Sequence, residues 1–143
     1  NFNSYHMLGI SGGGWTTVLF SAIDDRISEN YSVAGSFPMF MRSDSKNIGD
    51  YEQIIPELYS ITNYLELYLM GSFGNERKLV LIYNEFDPCC FSGNDYEQFP
   101  FDDVLKTKIS NIGEGQFNVI VDREQNKHVI SNDILSDIFL TSD

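Results

Sequence analysis

Gly9-Ile10-Ser11-Gly12-Gly13-Gly14-Trp15 is the stretch of sequence that decides the fold. A short, mostly apolar run at residues 5–8 precedes it and predicts a strand. Apolar residues at helical spacing follow it and predict a helix, whose buried face would carry Trp15, Val18, Leu19, Ala22, Ile23 and Ile27. A strand that passes directly into a helix needs a sharp turn with closely approaching backbone segments. We expect glycine at positions 9 and 13 because a Cβ atom there would clash.

The pattern Gly9-x-Ser11-x-Gly13 between a strand and a helix is typical of a nucleophilic serine. Such a turn lifts the serine hydroxyl above the end of the sheet. The next amide, that of Gly12, can then face a developing oxyanion. The alternative is a tight turn in which Ser11 has no catalytic role. A phosphate-binding loop is disfavoured, because the spacing is not G-x-G-x-x-G and no acidic residue ends the next strand.

A nucleophilic serine needs a base, and the base needs an acid that orients it. The chain has two histidines. His6 lies inside the first predicted strand, below the turn, and is expected to be a core residue. His128 follows the strand-like run 117–122 and is the candidate base. Asp87, directly after the apolar run 79–83, is the candidate acid, and Glu85 is the reserve candidate.

The chain order Ser11, Asp87, His128 differs from the orders of the chymotrypsin and subtilisin types. Together with the glycine-rich turn, it resembles the C-terminal half of an α/β-hydrolase, and this resemblance covers residues 1–143. It implies a partial α/β-hydrolase fold of the α/β class: a mostly parallel sheet with helices on both faces, whose N-terminal strands are missing. We therefore expect a fragment of a longer protein. If the chain is complete as given, a partner chain or dimer mate should cover the exposed sheet edge at the first strand.

The resemblance also implies a function. Ser11 would be the nucleophile, His128 the base, Asp87 the orienting acid and Gly12 the oxyanion amide of a carboxylic-ester hydrolase that needs no cofactor or metal. A peptidase of the prolyl-oligopeptidase type is an alternative, and so is a non-catalytic hydrolase-like binding module. Trp15 and Phe37 are candidates for a substrate pocket, although core packing is the more common role of such residues.

The composition limits the classes of partner that the protein is expected to bind. The net charge of −12 disfavours nucleic acid, and no apolar run reaches the length of a membrane span. A hydrophobic content of 42% supplies a core. Cys89 and Cys90 are the only cysteines. We expect two thiols, because a disulfide between adjacent residues is strained, and no metal site, because further ligands are not nearby in the sequence.

Overall fold

The computed structural model describes residue 2 and residues 5–140. Its strands form a single four-stranded sheet in which spatial order follows chain order, and all three pairs of neighbours are parallel. The strands are β1 (Tyr5–Ile10), β2 (Ile27–Val33), β3 (Lys78–Asn84) and β4 (Gln116–Asp122). At least one helix lies in every connection between strands. The predicted α/β class with a parallel sheet is confirmed.

Six α-helices are present among the described residues. They are α1 (Gly12–Ile23), α2 (Pro56–Tyr59), α3 (Tyr64–Ser72), α4 (Gly93–Gln98), α5 (Asp102–Ile112) and α6 (Asn132–Leu140). Three short 3₁₀ helices lie between β2 and α2, at Met39–Met41, Ser45–Asn47 and Tyr51–Gln53. No helix among the described residues has the length and apolar character needed to cross a bilayer.

Strand β3 divides the core into two layers. Its side chains alternate between the sheet faces, as the two-residue period of a strand requires. Leu79, Leu81 and Tyr83 join a large cluster with residues of α1, α3 and α5, whereas Val80 and Ile82 join a smaller cluster with α6. Helices therefore cover both faces, as predicted, and the larger aromatic core lies on the α1 side.

Two local predictions need correction. Ile27 was expected on the apolar face of α1, but that helix ends at Ile23 and Ile27 begins β2. The side chain of Asp24 accepts a hydrogen bond from the Arg26 amide at 3.1 Å, which stabilises a turn in place of another helical turn. His6 was expected in the core, but its side chain is exposed on β1, the edge strand of the sheet.

The parallel arrangement brings the carboxyl ends of all four strands to one edge of the sheet. In the register, Ile10 pairs with Val33, Val33 with Ile82 and Ile82 with Ile120. The loops after β1, β3 and β4 carry Ser11, Asp87 and His128, so the topology assembles these residues at the same edge. The partner chain that would cover β1 stays a prediction.

Candidate active site

Ser11 forms the whole connection between β1 and α1. β1 ends at Ile10 and α1 begins at Gly12, so one residue has to turn the chain. Ser11 has φ 56° and ψ −125°, a region that residues with a side chain rarely occupy and that costs on the order of 1–3 kcal/mol. Its amide donates to the Val33 carbonyl at 2.9 Å, and its carbonyl accepts from the Trp15 amide at 3.0 Å. Backbone hydrogen bonds to β2 and to α1 thus hold Ser11 in this strained conformation.

The glycines around Ser11 differ in what they do. A Cβ atom on Gly9 would lie 2.2 Å from the Gly13 carbonyl oxygen, so the steric prediction for Gly9 is confirmed. The same prediction for Gly13 is wrong, since a Cβ there would meet nothing within 4 Å. The second tight position is Gly14, whose Cβ would lie 2.8 Å from the Cα of Gly35 after β2. The turn therefore needs glycine on the strand side of Ser11 and at the start of the helix, but not at position 13.

Gly12 is the first residue of α1, and its amide lies at the positive end of the helix dipole. The first N–H groups of a helix have no carbonyl partner one turn earlier. An anion beside Ser11 would therefore meet donors that are already oriented. This placement agrees with the oxyanion role expected of Gly12, which stays a prediction.

Asp87 and His128 form a hydrogen-bonded pair. The Nδ1 atom of His128 lies 2.9 Å from Oδ2 and 3.1 Å from Oδ1 of Asp87. The Asp87 side chain has no exposed surface, whereas that of His128 is 24% exposed. The amides of Cys89 and Cys90 donate to Oδ1 at 2.8 and 3.1 Å. The chain thus satisfies a buried carboxylate with two backbone donors and one imidazole.

This pair fixes the tautomer of neutral His128. An ionised carboxylate only accepts hydrogen bonds, so the ring proton must be on Nδ1, which donates a hydrogen bond to Asp87. Nε2 is then left with a lone pair, which is the form that a general base requires. Nε2 is buried and has no hydrogen-bond partner among the described residues. No hydrogen bond joins it to Ser11, although both residues lie at the same edge of the sheet.

Asn84, the last residue of β3, was not among the residues expected at the site. Its side chain is buried, and its Nδ2 donates to the carbonyls of Lys127 and Val129 at 2.7 and 3.0 Å. A longer contact of 3.3 Å reaches Oδ2 of Asp87. Asn84 therefore ties the histidine loop to the end of β3, one strand closer to Ser11 than β4 is. The sequence signal that could have indicated this role is a polar residue directly after the apolar run 79–83.

Glu85 and the expected pocket residues lie elsewhere. Glu85 pairs with Arg123 at 3.4 Å, and the hydrogen-bonded carboxylate partner of His128 is Asp87, not this reserve acid. Trp15 and Phe37 are each 1% exposed and belong to the large core cluster. The ring of Phe37 packs against that of Tyr83 at 5.8 Å between centroids. The structure places both aromatic residues beneath the strand ends, in the core.

Tyr83 lies under the acid loop. Burial raises its pKa well above the usual value of 10.0, so its hydroxyl stays neutral, and it donates to the Ser36 carbonyl at 2.9 Å. Its ring also contacts that of Tyr96 at 5.5 Å. These contacts fix the position of Tyr83 near the end of β3, and its neutral hydroxyl is already bonded to Ser36.

Cys89 and Cys90 differ from expectation in two ways. The structure joins their sulfurs in a disulfide, where two thiols were predicted. No further ligand was expected near the two cysteines, but the fold brings His128 to them. The two Sγ atoms and a ring nitrogen of His128 lie within 4.8 Å of one another. The sequence separation of His128 hides this cluster until the chain is folded.

No protein-family model matches the chain, and no curated protein or solved structure shows significant similarity to it. The site is therefore interpreted from its own geometry.

Proposed function

We propose that the protein is a serine hydrolase that cleaves carboxylic esters through Ser11, His128 and Asp87. The observation that carries the proposal is the pairing of His128 Nδ1 with the buried Asp87 carboxylate, which leaves the lone pair on Nε2. The strained turn at Ser11, on the same edge of the sheet, supplies the nucleophile.

The proposed reaction is a two-step acyl transfer. His128 Nε2 takes the Ser11 hydroxyl proton while Oγ bonds to the ester carbonyl carbon, and the carbonyl electrons move onto oxygen. The Gly12 amide faces that oxyanion. When the intermediate collapses, the alcohol leaves with the proton from Nε2. Water then repeats the sequence on the acyl-enzyme, with His128 again as base, and releases the acid and free Ser11.

The proposal requires one movement. Ser11 Oγ and His128 Nε2 must come within about 2.6–3.2 Å in the substrate complex, and catalytic hydrogen bonds often shorten only there. Asn84 holds the histidine loop at the end of β3, which lies two strands away from β1 in the sheet. Two strand spacings separate the backbones of these strand ends by roughly 10 Å. An imidazole and a serine side chain together span much of that separation.

The decisive experiment is labelling of the full-length protein with a fluorophosphonate, followed by mass spectrometry of the modified peptide. We expect one label per chain, on Ser11, and loss of labelling in Ser11→Ala and in His128→Ala. Ser110→Ala, which removes a hydroxyl on the exposed side of α5, is the matched control and should label normally. Labelling that persists in His128→Ala would contradict the role of the base.

The alternatives give other outcomes. Faster turnover of a peptide amide than of the matching ester would favour the prolyl-oligopeptidase type of activity, which uses the same three residues. A folded protein that is never labelled and hydrolyses neither substrate would favour the non-catalytic binding module.

A further inference from the structure

Cys89 and Cys90 lie against the histidine that the proposed reaction uses. The two sulfurs and a ring nitrogen of His128 are mutually within 4.8 Å. In tetrahedral zinc sites, with Zn–S about 2.3 Å and Zn–N about 2.0–2.1 Å, ligand atoms are roughly 3.5–3.8 Å apart. The ring nitrogen therefore lies no more than 4.8 Å from either sulfur. The two sulfurs are bonded to each other, so a tetrahedral site requires that this bond is broken and the sulfurs separate.

A single carboxylate positions all three residues. Oδ1 of Asp87 accepts the amides of Cys89 and Cys90, and Oδ2 accepts Nδ1 of His128. A carboxylate behind the histidine is the usual support of a metal-ligating imidazole, since it fixes the ring and leaves the other nitrogen for the cation. That other nitrogen, Nε2, is buried and has no partner among the described residues.

The oxidation state decides whether the sulfurs can act as ligands. In the disulfide they have no thiolate to offer a cation. A reductant that delivers two electrons breaks the bond between the sulfurs, and each sulfur takes up one proton. A divalent cation that binds both sulfurs then displaces the two thiol protons to solvent. Soft thiolate donors select zinc, cadmium and similar ions over magnesium or calcium.

We propose that reduction of the disulfide opens a binding site for a thiophilic divalent cation, formed by Cys89, Cys90 and His128. The site itself rests on the cluster alone. Its consequence rests on the proposed function: a cation held by the His128 ring prevents this residue from accepting the Ser11 proton, and hydrolysis stops. The reduced protein would then be a hydrolase that zinc-like ions inhibit reversibly.

The test is a cadmium titration of the full-length protein, followed by the ultraviolet charge-transfer absorption of cadmium thiolates. The protein is first reduced with a phosphine, which becomes its oxide with the oxygen of one water while that water's protons go to the sulfurs, and the phosphine is removed. We expect one cadmium per reduced chain and no absorption from the disulfide form. Equal binding by both forms would overturn the proposal.

Variants locate the site. Cys89→Ser and Cys90→Ser should each abolish the absorption. His128→Ala should weaken binding by more than about 10-fold, because loss of even an outer-shell partner of a ligand typically costs that much. His6→Ala, which removes the other histidine, is the control and should bind normally. Full binding by either serine variant or by His128→Ala would overturn the proposed ligand set. If a serine variant fails to fold, alkylation of the reduced native protein provides the same test, because blocked sulfurs should give no absorption.

A second readout separates this proposal from the proposed function. Cadmium should stop fluorophosphonate labelling of Ser11 in the reduced protein, and a chelator should restore it. Labelling that continues with cadmium bound would overturn the inhibition. Absence of labelling under every condition would overturn the serine mechanism, while the titration would still decide the metal site.

Discussion

The sheet has an amino edge, where its strands begin, and a carboxyl edge, where they end. Both carry similar residues, but the hydrogen bonds and ion pairs among those residues differ. The amino edge has His6, buried Asn30 and a carboxylate, Glu29, which lies 3.2 Å from the Lys78 ammonium. The carboxyl edge has a histidine, a buried asparagine and a carboxylate as well. There, however, the carboxylate pairs with an imidazole whose second nitrogen is buried and has no hydrogen-bond partner in the described part of the chain. Residue type therefore does not distinguish the edges; the unused bonding capacity of His128 does.

The largest expected difference between the edges is in catalysis. His128→Ala should lower ester hydrolysis by about 10⁴-fold or more, because serine and histidine of such a triad act as a unit. His6→Ala should leave turnover unchanged, since His6 is exposed at the far end of the sheet. Steady-state kinetics with a chromogenic ester measure both. Equal losses in the two variants would show that the edges do not differ in function.

Within the carboxyl edge, Gly9→Ala should have the largest effect on stability. Its Cβ would lie 2.2 Å from the carbonyl oxygen of Gly13, so the backbone must move, and we expect a loss of about 3 kcal/mol or an unfolded protein. Gly13→Ala is the matched control. It adds a methyl group to open space on α1 and should raise the free energy of unfolding by roughly 0.5–1 kcal/mol. Urea unfolding curves compare the two, and similar midpoints would contradict the packing described for the turn.

The two buried asparagines sharpen the comparison. Asn30 Nδ2 donates to the Ile27 and Lys78 carbonyls at 3.3 and 3.2 Å, much as Asn84 Nδ2 does at the opposite edge. Replacing either with alanine removes two hydrogen bonds from a buried asparagine and should cost about 1–3 kcal/mol of stability. Only Asn84→Ala should also lower kcat, by about 10²-fold, since a displaced histidine loop misplaces the base. An unchanged kcat in folded Asn84→Ala would remove its positioning role.

The smallest effect concerns the ion pair at the amino edge. Burial acts to raise the pKa of Glu29, but hydrogen bonds from Tyr31 and Lys78 outweigh it and hold this pKa below its usual value of 4.5. Burial acts to lower the pKa of Lys78, and the bonds to Tyr31 and Glu29 outweigh that and raise it above 10.5. The lowered pKa of Glu29 stabilises the folded protein above pH 4.5, and the raised pKa of Lys78 stabilises it below pH 10.5.

Lys78→Met should therefore cost about 0.2–1 kcal/mol at pH 7. The cost should shrink as the pH falls through the lowered pKa of Glu29 and the carboxylate is protonated. Unfolding curves of the variant and the parent protein at pH 7 and pH 3 provide the comparison. A cost that does not change with pH would mean that Lys78 acts through packing and not through its charge.

The sequence predicted the features that depend on local chemistry. The pattern around Ser11 indicated a strand that passes directly into a helix, and Ser11 alone connects β1 to α1. The pairing of Asp87 with His128 was expected from chain order. Features that depend on folding of distant segments were not predictable: the Asn84 bonds to the histidine loop and the approach of His128 to the two cysteines.

The close approach of Gly14 and Gly35 restricts how this protein can change in evolution. A Cβ on Gly35 would lie 2.4 Å from the Cα of Gly14, and a Cβ on Gly14 would lie 2.8 Å from the Cα of Gly35. Each position therefore excludes a side chain because of the other's backbone, and no compensating change of side chain elsewhere makes room. Sequences that diverge from this one should keep both glycines for as long as they keep the sharp turn into α1. A homologue search guided by this pair and its spacing would follow the backbone contact even after the rest of the sequence has drifted.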